Sequence, residues 1–260
     1  MLRGKSAIVT GSTSGIGLGI AQALAAQGAD IMLNGFGDAG EIEAIRTDLA
    51  SKFGVQADYN GADMTKRSEI KDLVDAATAR FGKVDILVNN AGIQHVAPVE
   101  GFPEDKWEQI IAINLSATFY AIRYALPQMK QRNWGRIINI ASTHGLVASV
   151  NKVAYVAVKH GVVGMTKVVA LETAETGVTC NAICPGWVLT PLVQKQIDAL
   201  AASKGVSAEA AARELLSEKQ PSKTFVTPAQ LSALALFLCS DGAANMRGAA
   251  LNMDGGWIAQ

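Results

Sequence analysis

The stretch that decides the fold reads Thr10-Gly11-Ser12-Thr13-Ser14-Gly15-Ile16-Gly17. The apolar run from Ala7 to Thr10 predicts a buried strand before it, and the helical period of Ile16 to Gln27 predicts a helix after it. The three glycines permit a tight turn, close approach of a pyrophosphate to the backbone and close packing of helix on strand. Because the amino end of a helix attracts anions, the stretch predicts a dinucleotide-binding turn.

Short apolar runs alternate with helical stretches along the rest of the chain. The predicted strands are Ala7 to Thr10, Asp30 to Leu33, Val55 to Tyr59, Val84 to Asn89, Arg136 to Ala141, Val178 to Ile183 and Ala250 to Met253. The predicted helices are Ile16 to Gln27, Glu41 to Phe53, Arg67 to Phe81, Lys106 to Gln131 and Ala154 to Thr173. Such alternation predicts an α/β, doubly wound (Rossmann) fold with a seven-stranded parallel sheet and helices on both faces. We expect ligands at the carboxyl ends of the strands, where the strand order reverses.

We expect one domain over residues 1–260, with a helical insertion at about 190–225. The segment from Thr190 to Phe225 is rich in Ala, Lys and Glu, and it lies between the sixth strand and the last helix. Above the ligand edge it could form a lid. An ordinary amphipathic hairpin or a subunit contact has the same composition, so these alternatives stay open.

Composition limits the possible partners. The chain has 260 residues and is 49% hydrophobic, which is enough for a sizeable core in one domain. Lys plus Arg and Asp plus Glu both number 23, so a balanced charge argues against nucleic acid. We find no hydrophobic stretch of roughly 18 residues, the length of a membrane span, and no signal peptide before the first strand. Three cysteines without a CxxC pair predict apolar packing rather than a reactive thiol and a reduced, cytoplasmic setting.

Tyr155 and Lys159 stand four residues apart, with Ser142 thirteen positions before the tyrosine. A step of four places both side chains on one face of a helix. At about 5 Å and an effective dielectric of about 20, an ammonium stabilises a phenolate by about 3 kcal/mol, which lowers a phenol pKa near 10 by about two. We therefore predict that Lys159 tunes Tyr155 for acid-base chemistry and that Ser142 holds the substrate oxygen. Taken alone, however, this spacing also arises from a half-buried tyrosine beside a snorkelling lysine.

Further motifs resemble the short-chain dehydrogenase/reductase family. They are Asn89-Asn90-Ala91-Gly92 after the fourth strand, Asn114, and Pro185-Gly186, in the family's order over nearly the whole chain. The resemblance implies hydride transfer between a substrate carbinol and C4 of a nicotinamide, with Tyr155 as acid-base and Ser142 on the substrate oxygen. It also implies that Lys159 contacts the nicotinamide ribose and that Asn114 holds a water in a proton relay through Lys159.

The resemblance carries over to a set of cofactor-binding positions, in which Asn89 to Gly92 steadies the central sheet beside the cofactor. The set comprises Gly11, Thr13, Ser14, Gly15, Ile16, Gly17, Phe36, Asp63, Met64, Asn90, Ala91, Gly92, Tyr155, Lys159, Pro185, Gly186, Val188 and Thr190. Asp63 and Met64 resemble the family's pair at the adenine edge, although Asp63 could equally cap a helix before Lys66.

The end of the second strand predicts which nicotinamide cofactor binds. An acidic residue there takes the adenosine ribose hydroxyls, whereas a basic one accepts a 2′-phosphate. The segment Leu33-Asn34-Gly35-Phe36-Gly37-Asp38 contains no Arg or Lys, and neither does Ser12 to Ser14. We therefore predict NAD. The usual acid is absent from the strand end itself, and Phe36 is expected to pack near the adenine or ribose.

Four polar residues are expected to face the substrate, namely Gln94, His144, Lys152 and Gln196. Several donors and a cation suit a small carboxylate, although each residue could instead be an ordinary solvated side chain. With their neighbours they resemble one branch of the family, the bacterial D-3-hydroxybutyrate dehydrogenases. The resembling segments are Asn34 to Gly37, Asn89 to His95, Ala141 to Ser149, Cys184 to Val188, Glu218 to Pro221 and Asp254 to Trp257. This resemblance implies oxidation of D-3-hydroxybutyrate to acetoacetate with the four residues on its carboxylate, and a homotetramer.

The chain departs from the family pattern at four positions. Val153 stands for a small serine, Val158 for a small residue, Thr143 for an alanine and Leu189 for a common arginine. These changes keep the reacting groups but alter the side chains around them. Two other interpretations remain, a family member acting on a sugar acid or a 3-oxoacyl thioester, and a non-catalytic NAD sensor. We assign no metal ligands.

Overall fold

The seven strands form one parallel sheet in a computed structural model that describes residues 1–259, the side chain of Leu192 excepted. They are Ser6–Val9 (β1), Asp30–Asn34 (β2), Ala57–Asn60 (β3), Ile86–Asn89 (β4), Gly135–Ile140 (β5), Val178–Pro185 (β6) and Ala250–Met253 (β7). Their order is β3-β2-β1-β4-β5-β6-β7, and every neighbouring pair is parallel. The predicted doubly wound sheet is therefore confirmed, and its order reverses between β1 and β4.

Helices cover both faces of the sheet. The α-helices of the described chain are Gly15–Ala26 (α1), Ala39–Phe53 (α2), Arg67–Phe81 (α3), Glu104–Ile110 (α4), Ala117–Gln131 (α5), Val153–Glu172 (α6), Pro191–Lys204 (α7), Ala208–Ser217 (α8) and Pro228–Cys239 (α9). Residues of α1, α2 and α9 share one buried apolar cluster, and residues of α3, α5 and α6 share another. Val9 and Ile8, adjacent on β1, belong to the first and second cluster respectively. Strand side chains alternate between faces, so each strand contributes to both cores.

The predicted element boundaries agree with the structure to within one or two residues for most elements, with one larger difference. The stretch Lys106 to Gln131, predicted as one helix, is divided into α4, a π-helical segment Ile111–Ser116 and α5. Hydrophobic period alone does not distinguish a π-turn from an α-turn, because the extra residue changes hydrogen bonding rather than residue type. The π-helical segment carries Asn114.

Two helical stretches are apolar and long enough for a membrane span by length and composition alone, namely Glu104–Gln131 and Val153–Glu172. Length and composition alone do not distinguish a membrane span from the core helix of a layered fold. In the fold, however, α5 packs against α3 and the sheet, and α6 packs against β6. Core helices of a layered α/β fold meet the same criterion because they are apolar over most of their surface.

The predicted helical insertion consists of α7 and α8. Thr190 caps α7 through its side chain, and Ser207 caps α8 in the same way. Val193, Ile197 and Ala211 form a small apolar cluster between the two helices, with Trp187 packed against it. The insertion therefore has its own small core beside the carboxyl edge of the sheet, where a lid would lie.

Candidate active site

A cavity of about 470 Å³ opens at the carboxyl edge of the sheet, beside the reversal of strand order. Most residues that the sequence assigns to the site line it. They are Gly11, Thr13, Ser14, Gly15, Ile16, Phe36, Asp63, Met64, Asn90, Ala91, Gly92, Gln94, Ser142, His144, Lys152, Tyr155, Lys159, Pro185, Gly186, Val188 and Thr190. Gly17, Asn114 and Gln196 lie elsewhere, and each is described below. Residues from distant parts of the chain thus meet at the edge where the topology predicts a ligand.

The glycine-rich turn forms one wall of this cavity. Gly11 and Gly15 have φ values of 62° and 58°, a left-handed conformation that favours glycine. A Cβ on Gly17 would lie 2.2 Å from the carbonyl oxygen of Gly11, so Gly17 permits the turn to pack on α1 instead of lining the cavity. The Asn90 carboxamide donates to the carbonyl oxygens of Thr10 and Gly11, at 3.0 and 2.9 Å. Asn90 therefore holds the turn against the end of β4.

The first turn of α1 suits an anionic ligand. Ser14 is the N-cap residue, but its side chain makes no capping hydrogen bond. The amide N–H groups at this helix end are therefore available to a phosphate, beside glycines that let it approach the backbone. The residues present thus fit the pyrophosphate of a dinucleotide.

One end of the cavity, which we call the far end, is lined by Thr13 and Phe36. It carries no basic side chain among the residues described. Phe36 lines it and is 69% exposed, while the Thr13 hydroxyl donates to the Phe36 carbonyl oxygen at 2.9 Å. Asp38 caps α2 by accepting from the amides of Gly40 and Glu41. Within the described part of the chain, the basic side chains on the cavity wall are Lys152 and Lys159. Both lie at the opposite end, beside Tyr155.

Asp63 belongs to the turn before α3 but does not cap that helix, whose N-cap residue is Lys66, and its place at the adenine edge stays a prediction. One carboxylate oxygen accepts from the Thr65 amide at 2.9 Å and from the Thr65 hydroxyl at 2.8 Å, and these hydrogen bonds lower the pKa of Asp63. The residue nevertheless lines the cavity beside Met64. Asp63 thus stabilises the turn before α3 and faces the cavity.

Ser142, Tyr155 and Lys159 converge at the near end. Tyr155 and Lys159 lie one turn apart on α6, and the Lys159 Nζ atom is 5.5 Å from the centre of the Tyr155 ring. Ser142 begins the turn after β5, and its hydroxyl accepts from the His144 amide at 3.1 Å. A Cβ on Gly145 would lie 2.8 Å from the Lys159 carbonyl oxygen, so glycine there lets this turn pack directly on α6. Close packing of the turn on α6 brings the serine to the tyrosine.

The pKa values around this group differ from the sequence prediction. Burial raises the pKa of Tyr155, and the hydrogen bond from Ser142 acts in the opposite direction. Burial lowers the pKa of Lys159 to about 8, and its Nζ donates to the Ile140 carbonyl oxygen at 2.7 Å. The expected lowering of the Tyr155 pKa by Lys159 is therefore wrong for this structure, because desolvation of the phenol dominates.

Asn114 lies beneath the cavity wall and is buried. Its carboxamide donates to the Ile93 carbonyl oxygen and accepts from the Ile93 amide, both at 2.9 Å. Its main-chain carbonyl oxygen accepts from the Thr118 hydroxyl at 3.0 Å. In this arrangement Asn114 fixes the segment that carries Gln94, and its place in a water relay stays a prediction.

His144 and Lys152 stand beside the reacting group. The His144 ring lies edge-on to Tyr155 and Trp257, with ring centres 5.8 and 5.2 Å apart, and its Nε2 is 3.0 Å from the Ser149 hydroxyl. Burial first and then the charge of Lys152 lower the pKa of His144 to about 4, so the imidazole is neutral at pH 7. Lys152 is half-buried, and burial lowers its pKa as well.

Gln196 lies in a second cavity of about 250 Å³, which we call the side cavity. Its lining residues are Gln94, Val96, Ser149, Val150, Lys152, Trp187, Gln196, Glu218, Lys219 and Trp257. Four of these also line the main cavity, so the two adjoin. Gln196 therefore faces the predicted substrate end from the insertion, across the residues that the two cavities share.

Sequence reasoning assigned no role to two tryptophans at the substrate end. Trp187 and Trp257 line both cavities, and the Lys152 Nζ atom lies 5.4 Å from the centre of the Trp187 ring. The Trp187 Nε1 atom is buried without a hydrogen-bond partner in the described structure. The sequence held a signal, since both are large aromatic residues directly after glycines in loops that follow strands. Their convergence depends on the pairing of β6 with β7, which those loops follow.

Comparison with known proteins agrees with this arrangement. The family described as short chain dehydrogenase matches residues 5–201. The chain is 64% identical over the full length of both proteins to the D-beta-hydroxybutyrate dehydrogenase of Cupriavidus necator. It is 54% identical to the D-beta-hydroxybutyrate dehydrogenase of Rhizobium meliloti, covering 98% of this chain and 99% of that one.

Solved structures show the same fold. The L-sorbose reductase of Gluconobacter frateurii, crystallised with NADPH and L-sorbose, superposes with a TM-score of 0.95 at 30% identity. The match covers 100% of this chain and 98% of that one.

Proposed function

The chain belongs to the short-chain dehydrogenase family, and on that premise we propose that it reversibly oxidises D-3-hydroxybutyrate to acetoacetate with NAD. The observation that carries the proposal is one cavity that brings the Ser142, Tyr155 and Lys159 group together with Lys152. The first three provide acid-base chemistry on an alcohol, and the fourth provides a charge for a carboxylate. A 3-hydroxy acid carries both functional groups a few bonds apart.

The cofactor is held by the glycine-rich turn and the carboxyl ends of the strands. The amino end of α1 takes the pyrophosphate, and Lys159 takes the nicotinamide ribose. A bound nicotinamide would supply the redox chemistry, as the hydride acceptor in oxidation of the alcohol.

The chain's own residues handle the oxygen and its proton. The Ser142 hydroxyl donates a hydrogen bond to the substrate oxygen and fixes its position against Tyr155. Tyr155 accepts the hydroxyl proton during oxidation and returns it during reduction. Burial raises the pKa of the phenol, and the hydrogen bond from Ser142 acts against that rise.

The choice of NAD over NADP rests on the charge of the far end. A 2′-phosphate there would lie near Phe36 and Thr13, with no lysine or arginine among the described cavity residues at that end. Leaving a phosphate without a counter-charge weakens its binding. NAD, which lacks that phosphate, meets no such cost.

The substrate carboxylate binds on the opposite side of the reacting group. Lys152 supplies the charge, and Gln94, neutral His144 and Gln196 supply hydrogen bonds to the two oxygens. Trp187 and Trp257 enclose the site and exclude water, which strengthens the interaction of Lys152 with a carboxylate.

We further propose that the enzyme is a cytoplasmic homotetramer. Phe119 on α5 and Val168 and Leu171 on α6 are exposed apolar side chains, with Leu171 77% exposed. They lie on the two helices that line the same face of the sheet, so a second copy could cover them. Cys180, Cys184 and Cys239 are buried free thiols, as in proteins of a reducing compartment.

The test is NADH formation with D- and L-3-hydroxybutyrate side by side, repeated with NADP. We expect turnover with the D-isomer and NAD. Faster turnover of a sugar acid, or of a 3-oxoacyl thioester with NADPH, would favour the alternative family member. Tight NAD binding without oxidation of any alcohol would identify a sensor.

A further inference from the structure

The side cavity contains charged groups to which the proposed function assigns no role. Its charged lining residues, within the described chain, are Lys152, Glu218 and Lys219. Lys152 also lines the main cavity, whereas Glu218 and Lys219 line the side cavity alone. An anion that occupies the side cavity therefore meets two ammonium groups and one carboxylate.

The segment that carries these two residues is fixed against the cavity wall. Glu218 is the C-cap residue of α8. The side-chain oxygen of Gln220, a residue that is 1% exposed, accepts a hydrogen bond from the main-chain amide of Trp187 at 2.9 Å. The main-chain amide of Gln220 donates to the Leu216 carbonyl oxygen at 2.7 Å. The backbone of Lys219 is thus held between two hydrogen bonds of its neighbour, and its side chain is half-buried at the cavity.

Electrostatic effects agree with the geometry. Burial is the largest cause of the lowered pKa of Lys152 and of His144, and the charge of Lys219 is a smaller cause in both, after Glu218 for Lys152 and after Lys152 for His144. The charge of Glu218 raises the pKa of Lys152. The three side chains line one cavity, and these pKa directions agree with charges that act on the group proposed to hold the carboxylate.

We propose that Lys219 is a specificity-determining residue, which attracts the carboxylate of the substrate into the side cavity and increases its occupancy at Lys152, while Glu218 opposes it. This inference rests on the proposed function for its anionic substrate. Because of Lys219 and Glu218, the affinity for a monocarboxylate depends on the net charge of the side cavity. The affinity for a neutral substrate of the same shape does not depend on that charge.

A paired substitution tests the inference with opposite expected signs. Lys219→Gln should lower kcat/KM for D-3-hydroxybutyrate about three- to tenfold through KM, and Glu218→Gln should raise it by a few fold, with kcat near the parent value in both. The matched control is Lys195→Gln on α7, which removes the same charge from an exposed residue that lines neither cavity. It should match the parent.

Two further readouts separate charge from folding. The methyl ester of 3-hydroxybutyrate, which has no charge, should respond to neither substitution. At 0.5 M NaCl the three variants should converge, since the Debye length falls to about 4 Å. Equal effects on acid and ester, or effects of the same sign in both variants, would overturn the proposal.

Binding without turnover keeps the inference distinct from the proposed function. Acetate can be titrated into the protein with NAD bound, with tryptophan fluorescence as the signal, because Trp187 lies beside Lys152. We expect Lys219→Gln to weaken acetate binding and Glu218→Gln to strengthen it. If the parent fails to oxidise 3-hydroxybutyrate but acetate shows this pattern, the function is wrong and the inference stands. If the parent turns over and acetate binds all variants equally, the inference is wrong and the function stands.

Discussion

The Nζ atom of Lys159 donates a 2.7 Å hydrogen bond to the carbonyl oxygen of Ile140, the last residue of β5. This contact ties the helix that carries Tyr155 to the strand that leads into Ser142. The ammonium is buried, and the described structure records no carboxylate in contact with it. The fold therefore holds a desolvated positive charge at the centre of the site, and its pKa falls to about 8.

That burial has a cost in stability, and Lys159→Met should reveal it. The amine titrates near 10.5 in the unfolded chain and near about 8 in the fold, so between these values the unfolded state binds more protons. Stability from this group is lowest below pH 8 and rises as pH approaches 10.5. Below pH 8, burying the charged amine therefore lowers the free energy of unfolding by roughly 3 kcal/mol. We expect the free energy of unfolding of Lys159→Met minus that of the parent to be larger (more stabilising) at pH 7 than at pH 10.

The measurement is denaturant unfolding of both proteins at several pH values. Loss of the hydrogen bond to Ile140 adds a constant offset, so only the slope of the difference against pH is diagnostic. Lys195→Met, at an exposed lysine of α7, is the control and should show no such slope. A flat difference for Lys159→Met would show that the amine keeps its ordinary pKa.

Tyr155→Phe should separate chemistry from binding. The substitution removes the phenol oxygen and keeps the ring that packs beside His144. We expect kcat to fall by at least about a thousandfold, since general acid-base catalysis contributes about 10²–10⁴ and the substrate oxygen also loses a partner. The dissociation constant of NAD should change little. Tyr124→Phe, which removes a hydroxyl that accepts from Arg67 on the outer helices, is the control. Loss of NAD binding in Tyr155→Phe would contradict the assigned role.

The sequence predicts the backbone of this site better than its electrostatics. The glycine turn, the ends of the strands and the one-turn spacing on α6 follow from local pattern, because strand, turn and helix each have a residue signature. Local pattern does not predict the hydrogen-bond partner of Lys159, because Ile140 is 19 positions away and contributes only a backbone oxygen. The direction of the Tyr155 pKa depends in the same way on how much of the fold encloses the phenol.

Gln196 shows the same limit. Its residue type suits a carboxylate, but its position depends on how α7 packs against the loop of Trp187. The sequence places it in the insertion, and only the fold places it in the side cavity. The sequence assigned no role to Glu218 and Lys219, because charged residues near a helix end are ordinary in any sequence.

Lys152→Ala should weaken binding of carboxylates without disabling the chemistry. The half-buried ammonium is proposed to pair with the substrate anion, and a charge-assisted hydrogen bond of this kind is worth about 1.5–3 kcal/mol. We expect KM for D-3-hydroxybutyrate to rise by one to two orders of magnitude, with a smaller change in kcat. The methyl ester should show a much smaller change in KM. An unchanged KM for the acid would mean that Lys152 is an ordinary solvated lysine that does not bind the substrate carboxylate.

Phe36→Arg should shift the cofactor preference toward NADP. Phe36 is exposed and lies at the end of the cavity where no basic side chain was found among the described residues. An arginine there supplies a planar cation for a 2′-phosphate. We expect kcat/KM for NADP to rise at least tenfold while that for NAD falls slightly. Phe36→Leu, which keeps the apolar character, should leave the ratio near that of the parent. A parent enzyme that already prefers NADP would refute the NAD assignment.

His144 should remain neutral down to acidic pH. Its pKa falls to about 4, because burial and then the charge of Lys152 oppose protonation. The chain has three histidines, so the variant His95→Gln/His160→Gln leaves one imidazole signal to follow by NMR. That signal should stay constant from pH 8 to pH 5.5, and adding Lys152→Gln should raise its midpoint. Between pH 6.5 and about 4 the unfolded chain binds the extra proton, so the stability from this group is lost as pH falls through that window. A midpoint near 6.5 would mean that His144 is exposed to water, and its hydrogen bond to the substrate carboxylate would then be that of a cation below neutral pH.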